Sequence, residues 1–173
     1  MSCHEDQANV RGNTETVIDS LDFARQGGKL AGCVAVAQLG RLADLLADQG
    51  GSLGFELHGE RDDEGKSCLN LRVTGGLNLR CQRCLSPLPY AVAIDSRLML
   101  VAPGEQWPDE ELADDGTDAI EASRELAVLP LVEEEVLLDL PVVPRHEICG
   151  LPAASETEHR PSPFAVLAKL KDH

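Results

Sequence analysis

Two hydrophobic periodicities alternate along the chain, and the switch between them outlines a fold. In "VAQLGRLADLLADQGG" the apolar residues Leu39, Leu42, Leu45 and Leu46 recur at spacings of three and four, with Arg41, Asp44 and Asp48 facing away. That stripe predicts a helix stopped by Gly50 and Gly51. The period then becomes two. "SLGFELHGE" sets Leu53, Phe55 and Leu57 against small or polar neighbours, and "SCLNLRVTG" does the same with Leu69, Leu71 and Val73. "RDDEGKS" between them reads as a polar turn. "GLNLRC" continues with Leu77 and Leu79, and "YAVAIDSRLMLVA" reads as a longer strand. Four strands joined by short turns predict an antiparallel meander. Ahead of the helix, "KLAGCVAV" (29–36) reads as one more short apolar strand, and "TETVIDSLDFARQGG" as a lead-in ended by Gly27 and Gly28.

Helical spacing returns in "LPLVEEEVLLDLP", where Leu129, Val132, Val136 and Leu140 form an apolar stripe. Pro130 suits a first turn, Glu133, Glu134 and Glu135 lie toward the positive end of the helix dipole, and Pro141 stops the helix. "VVPRHEICGLP" is an extended exit punctuated by proline. In "SPFAVLAKLK", Ser162 is a cap, and Phe164, Leu167 and Leu170 share one side. The expected fold is α+β: an antiparallel β-meander or barrel-like sheet with flanking helices and a C-terminal helical segment. Residues 1–14 are expected to be a disordered N-terminus, 15–150 a single α+β domain, and 151–173 a linker and C-terminal helix.

Charge adds a constraint that the pattern does not contain. The formal net charge is −15. Such a surface repels a phosphate backbone over most approaches and favours basic partners. Residues 103–125 carry nine acids against one base and read as a solvated acidic loop, or as a docking strip for a basic partner. The reverse holds over 66–97, where Lys66, Arg72, Arg80, Arg83 and Arg97 meet one acid, Asp95. That segment is the one local basic face available to touch RNA phosphate. The five aromatic residues, Phe23, Phe55, Tyr90, Trp107 and Phe164, offer little for base stacking.

The start, "MSCHEDQANV", has no apolar stretch of the signal-peptide kind, and no run of 18 apolar residues occurs. The expectation is a cytoplasmic protein with no membrane partner, its six cysteines mostly reduced. Cys33 and Cys68 read as small buried hydrophobes.

Cys81 and Cys84 stand three apart at a predicted turn, with an arginine beside each. A C-x2-C turn can aim two sulfurs at one point, which is half of a tetrahedral zinc site. "HEIC" offers a second half, His146 and Cys149, with 61 residues between Cys84 and His146. Together they would form a Cys3His set of net charge −1 around zinc, which Arg80 and Arg83 would offset. Three readings of the pair stand open: structural zinc, reduced thiols without metal, and a redox couple. A thioredoxin-like couple needs a helix start after the second cysteine, and "LSPLPY" with its two prolines opposes one. Phosphate-loop, dinucleotide, nucleophile-elbow and zincin signatures are absent from the sequence. His58 on its strand reads as a surface or half-buried histidine.

"LRCQRCLSPL", "LVEEEVLLDLPVVPRH" and "PSPFAVLAKLK" in this order and spacing closely resemble the YceD family of large ribosomal RNA subunit accumulation proteins. "FARQGGKLAG" followed by a leucine-rich segment resembles the family's amino-terminal part. Many relatives carry a fuller second cysteine set where this chain has His146 and Cys149. The resemblance implies a non-enzymatic cytoplasmic factor that supports 23S ribosomal RNA accumulation or processing and large-subunit synthesis. Charge and resemblance together suggest a factor that shields a basic large-subunit ribosomal protein or binds a precursor particle. Glu133, Glu134, Glu135 and Phe164 would be its partner-binding residues, and Arg72, Arg80 and Arg83 its contact with 23S rRNA. The alternative is a thiol–disulfide or metal-dependent enzyme centred on Cys81 and Cys84.

Overall fold

The computed structural model describes residues 16–107 and 117–149. The termini, residues 108–116 and the expected C-terminal helix with Phe164 lie outside the described residues. Strand β1 (Val17–Ile18) leads into helix α1 (Ser20–Arg25), whose start is capped by the Asp19 carboxylate accepting from the Asp22 amide. Next come β2 (Lys29–Ala35), β3 (Ser52–Arg61), β4 (Ser67–Arg80) and β5 (Pro87–Val101). The described part closes with β6 (Thr117–Glu121), β7 (Leu126–Ala127) and helix α2 (Val128–Asp139).

The main sheet has the order β2-β3-β4-β5-β6, and β1 pairs with β7 in a second, small sheet. Pairing from β2 to β5 is antiparallel between sequence neighbours, as a meander requires. The sheet ends on β2 and β6 and is not a closed barrel. One face carries Leu53, Leu57, Leu69, Leu71, Val73, Leu77, Leu79 and Leu98, all buried. Val128, Leu131, Val132 and Val136 of α2 join them in a single core. α2 stops where Leu140 turns extended at φ −67°, ψ 140°, because the residue before Pro141 is excluded from helical geometry. On the α1 side the backbone comes close to the sheet. A Cβ at Gly59 would stand 2.6 Å from the Phe23 carbonyl oxygen.

Three expectations change. Residues 36–51 form two short 3-10 turns, Val36–Gln38 and Gly40–Leu42, in place of a continuous helix. Leu39, Leu42 and Leu46 are buried as the stripe requires, while Leu45 faces outward. The reason lies in β4. Its pairing with β3 ends at Gly75, so the edge of Leu77–Arg80 needs another partner. Residues 45–47 supply it: the Arg80 amide donates to the Leu45 carbonyl and the Ala47 amide to the Asn78 carbonyl, 2.8 Å each, around a Leu46–Leu79 bridge. Buried backbone groups must pair, and here that requirement outweighs helical periodicity in a segment already weakened by Gly40.

Second, the two strand stretches around Gly75 and Gly76 are one strand of 14 residues. Gly75 takes φ +154°, a conformation few side chains tolerate, and this keeps the ladder continuous. Third, the acidic segment 103–125 is not all loop, because β6 within it adds a parallel strand beside β5. Cys68 is buried as expected, but Cys33 is exposed on β2.

Candidate metal centre

The C-x2-C turn connects β4 to β5. Its shape comes from main-chain bonds: the Leu85 amide donates to the Cys81 carbonyl at 2.9 Å and the Cys81 amide to the Ser86 carbonyl at 3.0 Å. Leu85 sits at φ +63°, a left-handed conformation that costs a branched side chain about 1–2 kcal/mol. That twist turns the Ser86 amide onto the Cys84 sulfur, the largest of the influences that lower the Cys84 pKa. The Cys81 thiol is lowered to about 5, first by the Cys84 amide, then by the amides of His146 and Arg83. Amide hydrogens converging on sulfur favour thiolate, the form that binds metal.

The segment after α2 returns to this turn. The Gln82 amide donates to the Pro144 carbonyl at 2.9 Å, and four side chains converge. Cys81, Cys84, His146 and Cys149 hold their ligand atoms within 4.8 Å of one another. The Cys81 and Cys149 sulfurs are 3.8 Å apart, and Cys84 Sγ lies 3.4 Å from His146 Nδ1. Zinc bonds of about 2.3 Å to sulfur and about 2.0–2.1 Å to nitrogen imply tetrahedral edges of about 3.8 Å and about 3.6 Å. The two measured separations match those edges.

The outer shell fits as well. His146 Nε2 lies 3.1 Å from the Pro87 carbonyl oxygen. A carbonyl only accepts, so Nε2 carries a proton, and Nδ1 is the nitrogen that would serve as the metal ligand. Arg83 Nε donates to Cys149 Sγ at 2.9 Å, and Nη2 donates to the His146 carbonyl at 3.2 Å. The Cys81 and Cys84 sulfurs, in that order, raise the His146 pKa by hydrogen bonding. For Cys149 the Arg83 hydrogen bond is the largest influence and lowers the pKa, yet burial together with the Cys84 and Cys81 sulfurs raises it on balance. Three sulfurs this close cannot all carry charge without a cation among them. The donor set therefore suits a dication, to which it would supply four ligands.

The sequence thus singled out all four candidate ligands, and the tertiary structure brings both halves together. It missed the second role of Arg83, whose guanidinium faces the metal site, and the Pro87 carbonyl that orients His146. No residue type marks that carbonyl, and the leucine after the second cysteine gives no sign of the left-handed backbone it adopts.

The arginines expected at RNA are spread out, and each has a partner within the chain. Arg72 lies eight residues up β4 from Arg80, about 26 Å at strand rise, and pairs with Asp95 at 2.6 Å. Arg80 donates to the Leu46 carbonyl at 3.2 Å. Lys66 meets Glu64 at 3.0 Å, and Arg97 meets Glu60 at 3.7 Å. The cationic segment is therefore internally partnered. A cavity of about 500 Å³ on the outer sheet face includes Lys29, Glu56, His58, Arg72 and Asp95, a balanced set of charges remote from the sulfurs.

The glutamate triplet is not an open anionic strip. Glu133 and Glu135 are buried. Glu133 accepts from the Arg41 amide at 2.7 Å and Glu135 accepts from the Ser96 hydroxyl. Glu134 is half-exposed and pairs with the Arg41 guanidinium. Two of the three thus serve packing, because they accept from donors of Arg41 and of Ser96 in β5 that would otherwise be left unpaired.

No helix among the described residues is long and apolar enough to cross a membrane. No solved structure matches the chain. A family model described as "Large ribosomal RNA subunit accumulation protein YceD" matches residues 69–171, a span that contains the C-x2-C turn, α2, His146 and Cys149. A Haemophilus influenzae protein named "Large ribosomal RNA subunit accumulation protein YceD" is 28% identical over 170 residues, covering 89% of this chain and 94% of that protein. With more than half of its length matched, and the paired half-sites inside the match, the chain belongs to the YceD family.

Proposed function

We propose that this protein is a non-catalytic cytoplasmic factor that supports 23S rRNA accumulation and large-subunit assembly, with a structural zinc ion in the Cys3His centre. The family membership carries the ribosomal part. The closed ligand set carries the non-catalytic part: four protein ligands leave no position for a water or a substrate. Zinc there would join the β4–β5 turn to the segment following α2 and hold the two as one rigid surface.

The partner is a basic large-subunit ribosomal protein or a precursor particle that contains one. A chain of net charge −15 attracts such a partner and repels bare RNA. The residues we assign to its binding are Glu134, the acidic segment around 105–125 and Phe164, with Glu133 and Glu135 acting indirectly by seating α2. Direct 23S rRNA contact is secondary. Arg80 is exposed and is the best placed for it, since Arg72 and Arg83 are engaged with Asp95 and Cys149. The thiol-enzyme alternative is disfavoured by burial: Cys81 is fully buried, and the amides that acidify it also make it a metal ligand.

Elemental analysis of purified protein tests the metal, with one zinc per chain expected. Sedimentation of cell extract tests the partner. The protein should travel with large-subunit precursors and leave them as salt rises. Recovery only in the free fraction, with no ribosomal protein retained at low salt, would overturn the assembly reading.

A further inference from the structure

The geometry points to Cys81 and Cys149 as a built-in site of oxidative modification, in which peroxide converts the two ligands into a disulfide and dismantles the metal centre. The bridge itself needs only the sulfurs; the release of metal rests on the zinc reading above. Three observations select the pair. The sulfurs stand 3.8 Å apart, so closure asks for less than 2 Å of movement to reach a bond of about 2.05 Å. Cys149, like Cys84, is half-buried and Cys81 fully buried, so within the pair an oxidant from solvent reaches Cys149 first. Arg83 Nε lies 2.9 Å from the Cys149 sulfur, where its N–H can stabilise the oxyanion that leaves as the peroxide bond breaks.

The chemistry balances with hydrogen peroxide as oxidant. The Cys149 thiolate attacks one peroxide oxygen. An S–O bond forms, the O–O bond breaks, and the departing hydroxide takes a proton from solvent to become water. Cys149 is then a sulfenic acid. The Cys81 thiolate attacks the Cys149 sulfur, the S–S bond forms, the S–O bond breaks, and a second hydroxide becomes water. The sulfurs together lose two electrons and the peroxide gains them. Cys84 and His146 remain, half of a tetrahedral set, which does not retain zinc. The segment leading to Cys149 stays attached to the turn through the new bond, and a thiol reductant reverses the change.

The test treats the full-length protein with stoichiometric hydrogen peroxide, follows zinc release with a chromogenic chelator and maps the cross-linked peptides by mass spectrometry. Zinc release concurrent with a Cys81–Cys149 peptide, both reversed by dithiothreitol, is expected. Cys149→Ser should abolish that cross-link. Since this variant can lose the fold together with a ligand, Arg83→Gln is run beside it. It retains all four ligands and, compared with the natural chain in metal-free protein so that its weaker zinc binding plays no part, should slow formation of the bridge several-fold. A Cys81–Cys84 or Cys84–Cys149 bridge, sulfinic acid without any bridge, or an Arg83→Gln rate equal to that of the natural chain would each overturn the proposal. Purified protein devoid of zinc would defeat the metal reading alone, because the same mapping on that protein still tests the bridge.

Discussion

The Arg83 guanidinium donates to the Cys149 sulfur at 2.9 Å across 66 residues of chain. One side chain thereby ties the two halves of the centre together, and its second nitrogen holds the His146 carbonyl. Outer-shell partners of this kind change metal affinity about 10–100-fold. Arg83→Gln should weaken zinc binding by that factor in chelator competition. Arg83→Lys should recover only part of it, because it keeps the charge and loses the Nε fork. Unchanged affinity in both variants would reduce Arg83 to a bystander.

Cys81 predicts a pH dependence for the metal-free protein. Its folded pKa is about 5, against about 8.5 in an unfolded chain. Between those values the unfolded state holds a proton that the folded state has released, so this group makes stability rise with pH. His146 is shifted upward, so above about 6.5 it works in the opposite sense. Stability due to the pair should climb from about pH 5 to about 6.5 and then level off. The first step in ultraviolet thiolate absorbance should fall near pH 5. A first step near 8.5 would mean that the amides do not act on this sulfur.

Leu85 sits at φ +63° with its side chain 61% exposed, so it forgoes burial while bearing backbone strain. Leu85→Gly should remove the strain and stabilise the protein by about 1 kcal/mol, read as a higher denaturation midpoint with zinc affinity maintained. A loss of stability would show that Leu85 makes a contact that compensates for its conformation.

Neighbouring glutamates should behave very differently. Glu133→Ala strands the Arg41 amide and should cost about 1–3 kcal/mol. Glu134→Ala removes a half-exposed ion pair and should cost at most about 1 kcal/mol. Denaturant unfolding of the two variants checks the contrast, and equal costs would contradict the inward role of Glu133. Glu134→Ala is also the cleaner probe of partner binding, since the fold should survive it.

Each place where the expected fold changed involves an interaction beyond the reach of a short window. Leu39, Leu42 and Leu46 are buried, so the stripe over 36–51 correctly identified what is inside. It assigned the wrong backbone because the Leu46–Leu79 bridge is a distant pairing that a local period cannot register. The parallel docking of β6 on β5 escaped notice for a related reason, since acidic composition reports solvation and contains nothing about strand partners.

By itself the sequence determined the alternating faces of β3, β4 and β5, the span of α2 with its proline stop, and the candidate ligands Cys81, Cys84, His146 and Cys149. These follow from side-chain chemistry and from spacings within one element, which a linear string records. Only the tertiary structure decided that the two half-sites meet within 4.8 Å, that Arg83 points at sulfur, and that Glu133 and Glu135 point inward. Those outcomes depend on register and on the return path of the chain after α2, where distant backbone and side-chain groups compete for the same partners.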